Sequence, residues 1–267
     1  MPTPYYIVDA FADRPFAGNP AAVVLLDVWP ASDAWLRNVA AEMNLSETAF
    51  LVAVDKGYDL RWFTPKSEVD LCGHATIASA VVLGRLGNLA DGARVDFFTR
   101  SGALGARRQG GRIELDFPSL GADPCTPPAG LVEALGVPAA AVTYAGRSKF
   151  DYVVEVRNAA DVRALSPDFA RLAKVECRGV IVTALSDDPQ YDFVSRFFAP
   201  AVGIDEDPVT GSAHCRLGPH WGERLGKTRL VGYQASARGG VVHVEVRGDR
   251  VTLGGDGVIV ASGVLEV

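Results

Sequence analysis

Short apolar or alternating stretches at residues 5–11 and 21–26 predict strands, split by the turn-rich Arg14-Pro-Phe-Ala-Gly-Asn-Pro20. Ser32 or Asp33 can cap a helix running to about Met43, because Trp35, Leu36, Val39, Ala40 and Met43 then share one face. Strands are expected at residues 47–54 and 59–63, then a loop at 64–71 and a helix over about 74–83. From Ala75 to Leu83 nearly every residue is small or aliphatic, so that helix has no polar face and should be enclosed by protein. Strands follow at residues 94–99, 104–108 and 112–117.

The stretch 118–128, PSLGADPCTPP, is the best linker in the chain. Beyond it the pattern predicts a short helix, strands near 142 and 152–156, helix over 159–174, and strands at 179–184 and 192–198. A second helix start at Thr210-Gly-Ser212 runs to about Leu225, and terminal strands follow. Arg61-Trp-Phe-Thr-Pro65 matches Arg196-Phe-Phe-Ala-Pro200 at an offset of 200 − 65 = 135, which places Cys72 on Asp207 and Phe98 on Tyr233. A duplicated α/β plan follows, with lobes at 1–118 and 119–267 and the last strand free to pair back with the first. Two such lobes would face equivalent loops across a cleft, where ligand sites tend to lie.

Composition narrows the function. The 267 residues are 48% hydrophobic and 22% charged, with a formal net charge of −6. A packed core is expected, and the basic footprint of a nucleic-acid binder is missing. The arginines at 100, 107, 108 and 112 read as solvated hairpin edges. No apolar run is long enough to span a membrane, and the N-terminus does not read as a signal peptide, so a cytoplasmic protein is expected. Cys72, Cys125, Cys177 and Cys215 lack paired spacing, which speaks against a disulfide framework or a zinc site.

The sharpest motifs occupy equivalent loops: Asp70-Leu-Cys-Gly-His-Ala75 and Asp205-Glu-Asp-Pro-Val-Thr-Gly-Ser-Ala213. Each opens a helix with glycine and a small or polar residue, and Ser212 is the expected cap of the second. Helix starts expose unpaired N–H groups suited to a carboxylate. Glu47, Asp70, Cys72, His74, Glu206, Asp207 and Cys215 are candidates for proton chemistry. Glu47 has apolar neighbours Leu45, Ala49 and Phe50, and burial there would raise its pKa toward neutrality. A Cys–His hydrolase through Cys72 or Cys215 lacks an evident third, orienting residue. No P-loop is present, and the histidines lack helical ligand partners for a metal.

Phe16-Ala-Gly-Asn-Pro20, Met43-Asn-Leu-Ser-Glu47-Thr, Phe63-Thr-Pro65, Cys72-Gly-His-Ala75 and Glu206-Asp-Pro-Val-Thr-Gly-Ser212 occur in this order. Together they resemble the PhzF-like phenazine-biosynthesis isomerase family of the diaminopimelate epimerase superfamily. The resemblance covers essentially the whole chain. It implies two pseudo-symmetric lobes, each a mixed sheet rolled around a central helix, no metal or cofactor, and a homodimer. It also implies an isomerase moving a proton on a small carboxylate-bearing metabolite. Glu47 would carry the proton, with His74 and Asp207 in support. Asn19, Ser46, Gly73, Gly211 and Ser212 would bind substrate.

The superfamily's epimerases use one cysteine per lobe. Here Cys72 faces Asp207 by the offset of 135, so a racemase using Cys72 with Asp207 is the alternative, and a catalytically silent binding protein is a third reading. Arg216, one turn into the second buried helix, either points at a bound anion or meets a buried carboxylate, and we favour the anion. Pro219 should kink that helix.

Overall fold

The computed structural model describes residues 3–267 and divides into two compact units. The first runs to Asp116 and resumes over Leu253–Val267, and the second is Phe117–Thr252. The chain's last long strand, Gly257–Leu265, pairs antiparallel with the first, Thr3–Ala10.

In the first unit Thr3–Ala10 also pairs antiparallel with Asn19–Leu26. The turn between them depends on Gly18, whose φ is +65° and whose hypothetical Cβ would lie 2.1 Å from the Ala10 carbonyl oxygen. Asn19–Leu26 runs parallel to Glu47–Val54, with Ala21 opposite Glu47. A parallel pair needs a crossover, and the helix Asp33–Met43 supplies it. Ser32 caps that helix by accepting the Ala34 N–H, and Asn44 ends it in the left-handed conformation. Glu47–Val54 then turns antiparallel into Gly57–Phe63.

The first central helix, Gly73–Arg85, packs on strands from both ends of this unit, including Thr3–Ala10, Asn19–Leu26 and Gly257–Leu265. Every residue from His74 to Ala80 is buried, as expected of a helix whose residues are nearly all small or aliphatic. Each larger buried aliphatic side chain contributes roughly 1.5–3 kcal/mol, so this helix anchors the unit.

The second unit repeats the register. Asp151–Val156 runs parallel to Gly179–Leu185, with Asp151 opposite Gly179. Gly179–Leu185 pairs antiparallel with Phe193–Ala199. The crossover expected as one helix is two short ones, Ala159–Arg163 and Phe169–Leu172, because Pro167 falls between them. The second central helix, Gly211–Leu225, packs on Arg229–Gln234 and Gly240–Arg247. It remains a single α-helix through Pro219.

Candidate active site

Two elements of the first unit bring three side chains into one cluster. Glu47 opens the strand Glu47–Val54, Cys72 is the N-cap residue of the first central helix, and His74 is that helix's second residue. His74 Nε2 lies 3.1 Å from Glu47 Oε2, while its Nδ1 lies 3.5 Å from the Cys72 sulfur. The imidazole thus sits between a carboxylate and a thiol. The first-turn N–H groups of the helix receive no side-chain cap, and Thr76 donates its hydroxyl back to the Cys72 carbonyl at 2.6 Å.

Electrostatics correct one sequence expectation. Burial pushes the Glu47 carboxyl upward, but the charge of His74 and hydrogen bonding with His74 and Cys72 outweigh it, so the net shift is downward. The group displaced toward neutrality and beyond is His74. Burial alone would lower it, yet the neighbouring Cys72 and Glu47 raise it well above its usual value. Burial and the Glu47 charge push the Cys72 thiol up. The cluster thus favours an ionised Glu47 and a protonated His74, with burial opposing the thiolate at Cys72. Glu47 Oε2 is buried at the ion-pair distance from His74 but receives no well-aligned hydrogen bond.

These contacts give a Cys–His pair the third member that the sequence did not reveal, Glu47. A nucleophilic role still fails on physical grounds, since the reactive form is the thiolate and burial raises the thiol pKa. Cys215 is more inert, being buried and pushed up to about 12. The nitrogen, sulfur and oxygen donors of His74, Cys72 and Glu47 lie within 4.8 Å of one another, close enough to share a metal ion.

The second unit holds the other predicted residues. Asp207 ends the short strand Ile204–Asp207, and its carboxylate accepts the Thr210 hydroxyl proton. Thr210, not Ser212, occupies the N-cap position of the second central helix. Gln234 was missed from sequence. Fully buried, it accepts the Thr210 N–H at 2.9 Å and donates to the Asp207 carbonyl at 2.7 Å, which fixes the loop between them. Glu206 is held by both Nε and Nη2 of Arg196, at 2.7 and 2.8 Å, so it braces the neighbouring Asp207 instead of serving as a free acid.

Ser212 accepts a hydrogen bond from Arg178 Nη2 at 3.0 Å. Arg178 is itself gripped by the fully buried Asp151 at 2.8 and 2.5 Å. Arg216 does not take the anion-facing place favoured from sequence. It is buried, 3.4 Å from Asp151, and donates to the Gly121 carbonyl at 3.0 Å. The carboxylate Asp151, invisible as a partner in the sequence, is the reason.

Of the remaining expected binding residues, Asn19 is fully buried opposite Ala10, whereas Ser46, Gly73 and Gly211 are partly accessible. A separate cavity of about 420 Å³, lined by Arg147, Tyr152, Arg171 and Lys174 among others, contains none of these groups.

The structure also corrects the repeat. Both central helices begin with glycine, at an offset of 211 − 73 = 138, and the bracing acids Glu68 and Glu206 differ by the same 138. Three extra residues in the second loop move Cys72 onto Thr210, Val69 onto Asp207 and His74 onto Ser212. Phe63 and Phe198 keep the offset of 135, whereas the register, Thr48 facing Phe63 as Val180 faces Phe198, puts Glu47 on Gly179 at an offset of 179 − 47 = 132.

Comparison with known proteins agrees with this architecture. Residues 8–263 match the family model described as phenazine biosynthesis-like protein. The chain is 52% identical to an uncharacterised isomerase of Pseudomonas aeruginosa, with 97% of each chain covered. It is 49% identical to an uncharacterised isomerase of Halalkalibacterium halodurans, again with 97% of each covered. The crystal structure of a PhzF-family phenazine biosynthesis protein from Enterococcus faecalis superposes with a TM-score of 0.94 at 42% identity, covering 100% of both chains. A probable proline racemase from Agrobacterium radiobacter shares the fold alone, with a TM-score of 0.63 at 11% identity over 99% of this chain and 93% of that one. The chain belongs to the phenazine biosynthesis-like, or PhzF-like, family.

Proposed function

We propose that the protein is an isomerase that moves a proton on a small carboxylate-bearing metabolite by general acid/base catalysis, using its own side chains without a metal or cofactor. The observation that carries this reading is the buried Glu47–His74 pair, with 3.1 Å between Oε2 and Nε2. Glu47, ionised and short of one hydrogen bond, takes a proton from substrate carbon. His74, charged and 3.1 Å away, stabilises the carboxylate before transfer and can polarise the charge that develops on substrate. The protonated Glu47 then returns the proton at a second position. Such a positioned acid/base contributes roughly 10²–10⁴ in rate. The isomerase names of the two bacterial relatives support the reaction class.

In this reading the substrate carboxylate is held by backbone N–H groups at Gly73, at the start of the first central helix. Racemisation by Cys72 with Asp207 is the weaker alternative. The thiol is pushed up by burial, and the helix starts equate Cys72 with Thr210.

A screen of small carboxylates in heavy water, read by mass spectrometry and NMR, tests the proposal. Deuterium uptake by wild type that disappears in a folded Glu47→Gln variant is the expected result. Uptake that survives Glu47→Gln but is lost in Cys72→Ala would transfer the chemistry to the thiol. Carboxylate binding with no exchange would identify a binding protein.

A further inference from the structure

The acid/base cluster has a second chemical capacity. A four-coordinate zinc ion bonds sulfur at about 2.3 Å, imidazole nitrogen at about 2.0–2.1 Å and carboxylate oxygen at about 2.0–2.2 Å. Neighbouring donors on such an ion are therefore separated by about 3.2–3.7 Å. Here His74 Nε2 lies 3.1 Å from Glu47 Oε2 and 3.9 Å from the Cys72 sulfur. All the donor atoms fall within 4.8 Å of one another, so side-chain shifts of about an ångström would bring them onto one ion. The donors are also nearly pre-ordered. Cys72 and His74 sit at the fixed start of a buried helix, and Glu47 Oε2 is buried without a well-aligned hydrogen bond. Mixed sulfur, nitrogen and oxygen donors select thiophilic divalent ions over magnesium or calcium.

We propose that Glu47, Cys72 and His74 form a three-ligand site for a thiophilic divalent cation, represented by Zn²⁺, whose binding competes with proton transfer. The competition rests on the Glu47 reading above, whereas the binding does not. On binding, the Cys72 S–H bond breaks and a sulfur–metal bond forms. The His74 Nε2–H bond breaks and a nitrogen–metal bond forms. Both protons leave to solvent, and Glu47 joins as an already ionised oxygen ligand. The fourth position is left for water or a carboxylate oxygen. With its lone pair on the metal, Glu47 can no longer accept a proton from substrate.

The full chain, freed of metal with a chelator that is then removed, is titrated with Co²⁺ and competed with Zn²⁺. We expect one Co²⁺ per chain, a near-ultraviolet thiolate-to-cobalt absorption and visible bands of four-coordinate cobalt, all displaced by Zn²⁺. Cys72→Ser should abolish the near-ultraviolet band and weaken binding at least tenfold. Glu47→Gln should weaken binding at least tenfold and keep the band. A Cys125→Ser/Cys177→Ser variant, which removes the more accessible thiols, should bind like wild type. If Cys72→Ser does not fold, Glu47→Gln and His74→Gln decide, since each must weaken binding at least tenfold. A band that persists in Cys72→Ser, affinity unchanged in Glu47→Gln or His74→Gln, or no stoichiometric binding by wild type would overturn the site. The readout needs no turnover. Failure here therefore leaves the heavy-water test untouched, and that test is run with chelator present.

Discussion

The two units use one scaffold to different ends. In both, a strand leads through a short loop into a central helix opened by glycine, and an arginine grips an acid in that loop: Arg61 on Glu68, Arg196 on Glu206. In both, the fourth residue after the N-cap bonds back to the N-cap carbonyl: Thr76 to Cys72 at 2.6 Å, His214 to Thr210 at 2.9 Å. Where the first unit carries Glu47 the second has Gly179, and where the first has His74 the second has Ser212. A side chain at Gly179 is disfavoured, because its Cβ would sit 2.3 Å from Phe197 Cζ and the ring would have to shift. The neighbouring residue, Arg178, points to Ser212 from an Asp151 anchor. The first unit thus gathers a carboxylate, an imidazole and a thiol, the groups of the proposed proton transfer, and the second presents a fixed cation and hydroxyl at its helix start. Duplication preserved the braces and let the working groups diverge.

The comparison can be broken at several points. The largest effect is expected from Glu47→Gln, which should cost about 10²–10⁴ in turnover with the fold intact. Activity within tenfold of wild type would remove the first unit's claim to the chemistry. Next is Asp151→Ala, which leaves Arg178 and the buried Arg216 without their carboxylate. Breaking a buried ion pair costs about 3–5 kcal/mol, so chemical denaturation should register a loss of that order. Gly179→Ala, the smallest step toward the first unit's residue, should cost about 1–3 kcal/mol through overpacking against Phe197.

The smallest effect is a pH dependence. Burial depresses His214 to about 4, although Nδ1 donates to the Thr210 carbonyl. A depressed histidine is neutral when folded, and below its ordinary value of 6.5 only the unfolded chain takes up the proton. Its contribution is therefore complete above about pH 6.5 and is lost as pH falls toward about 4, by about 3 kcal/mol in all. His214→Gln should flatten that limb of the stability curve, and an unchanged limb would assign it to other groups.

Much of this was legible in the sequence. The first central helix announced itself by a run of almost entirely small and aliphatic residues from Ala75 to Leu83, and the order of short motifs pointed to the family. The site of the first unit was legible because Glu47, Cys72 and His74 each lie in such a motif. Long-range partners were not. Nothing near Asp151 in sequence marks it as the anchor of Arg178 and Arg216, since the pairing arises from the parallel register that sets Asp151 opposite Gly179. Gln234 was hidden for the same reason, lying 24 residues from Thr210. The sign of the Glu47 shift was also out of reach. Burial can be guessed from flanking apolar residues, but the imidazolium that outweighs it is placed by tertiary structure.

The most direct test is the titration of His74, followed by nitrogen NMR of labelled protein freed of metal. The account predicts an imidazolium that persists well above pH 6.5 in wild type and loses its proton at distinctly lower pH in Glu47→Gln, where the negative partner is gone. A His74 that titrates at or below 6.5 with Glu47 in place, or is unmoved by Glu47→Gln, would contradict the ion pair on which the proposed proton transfer rests.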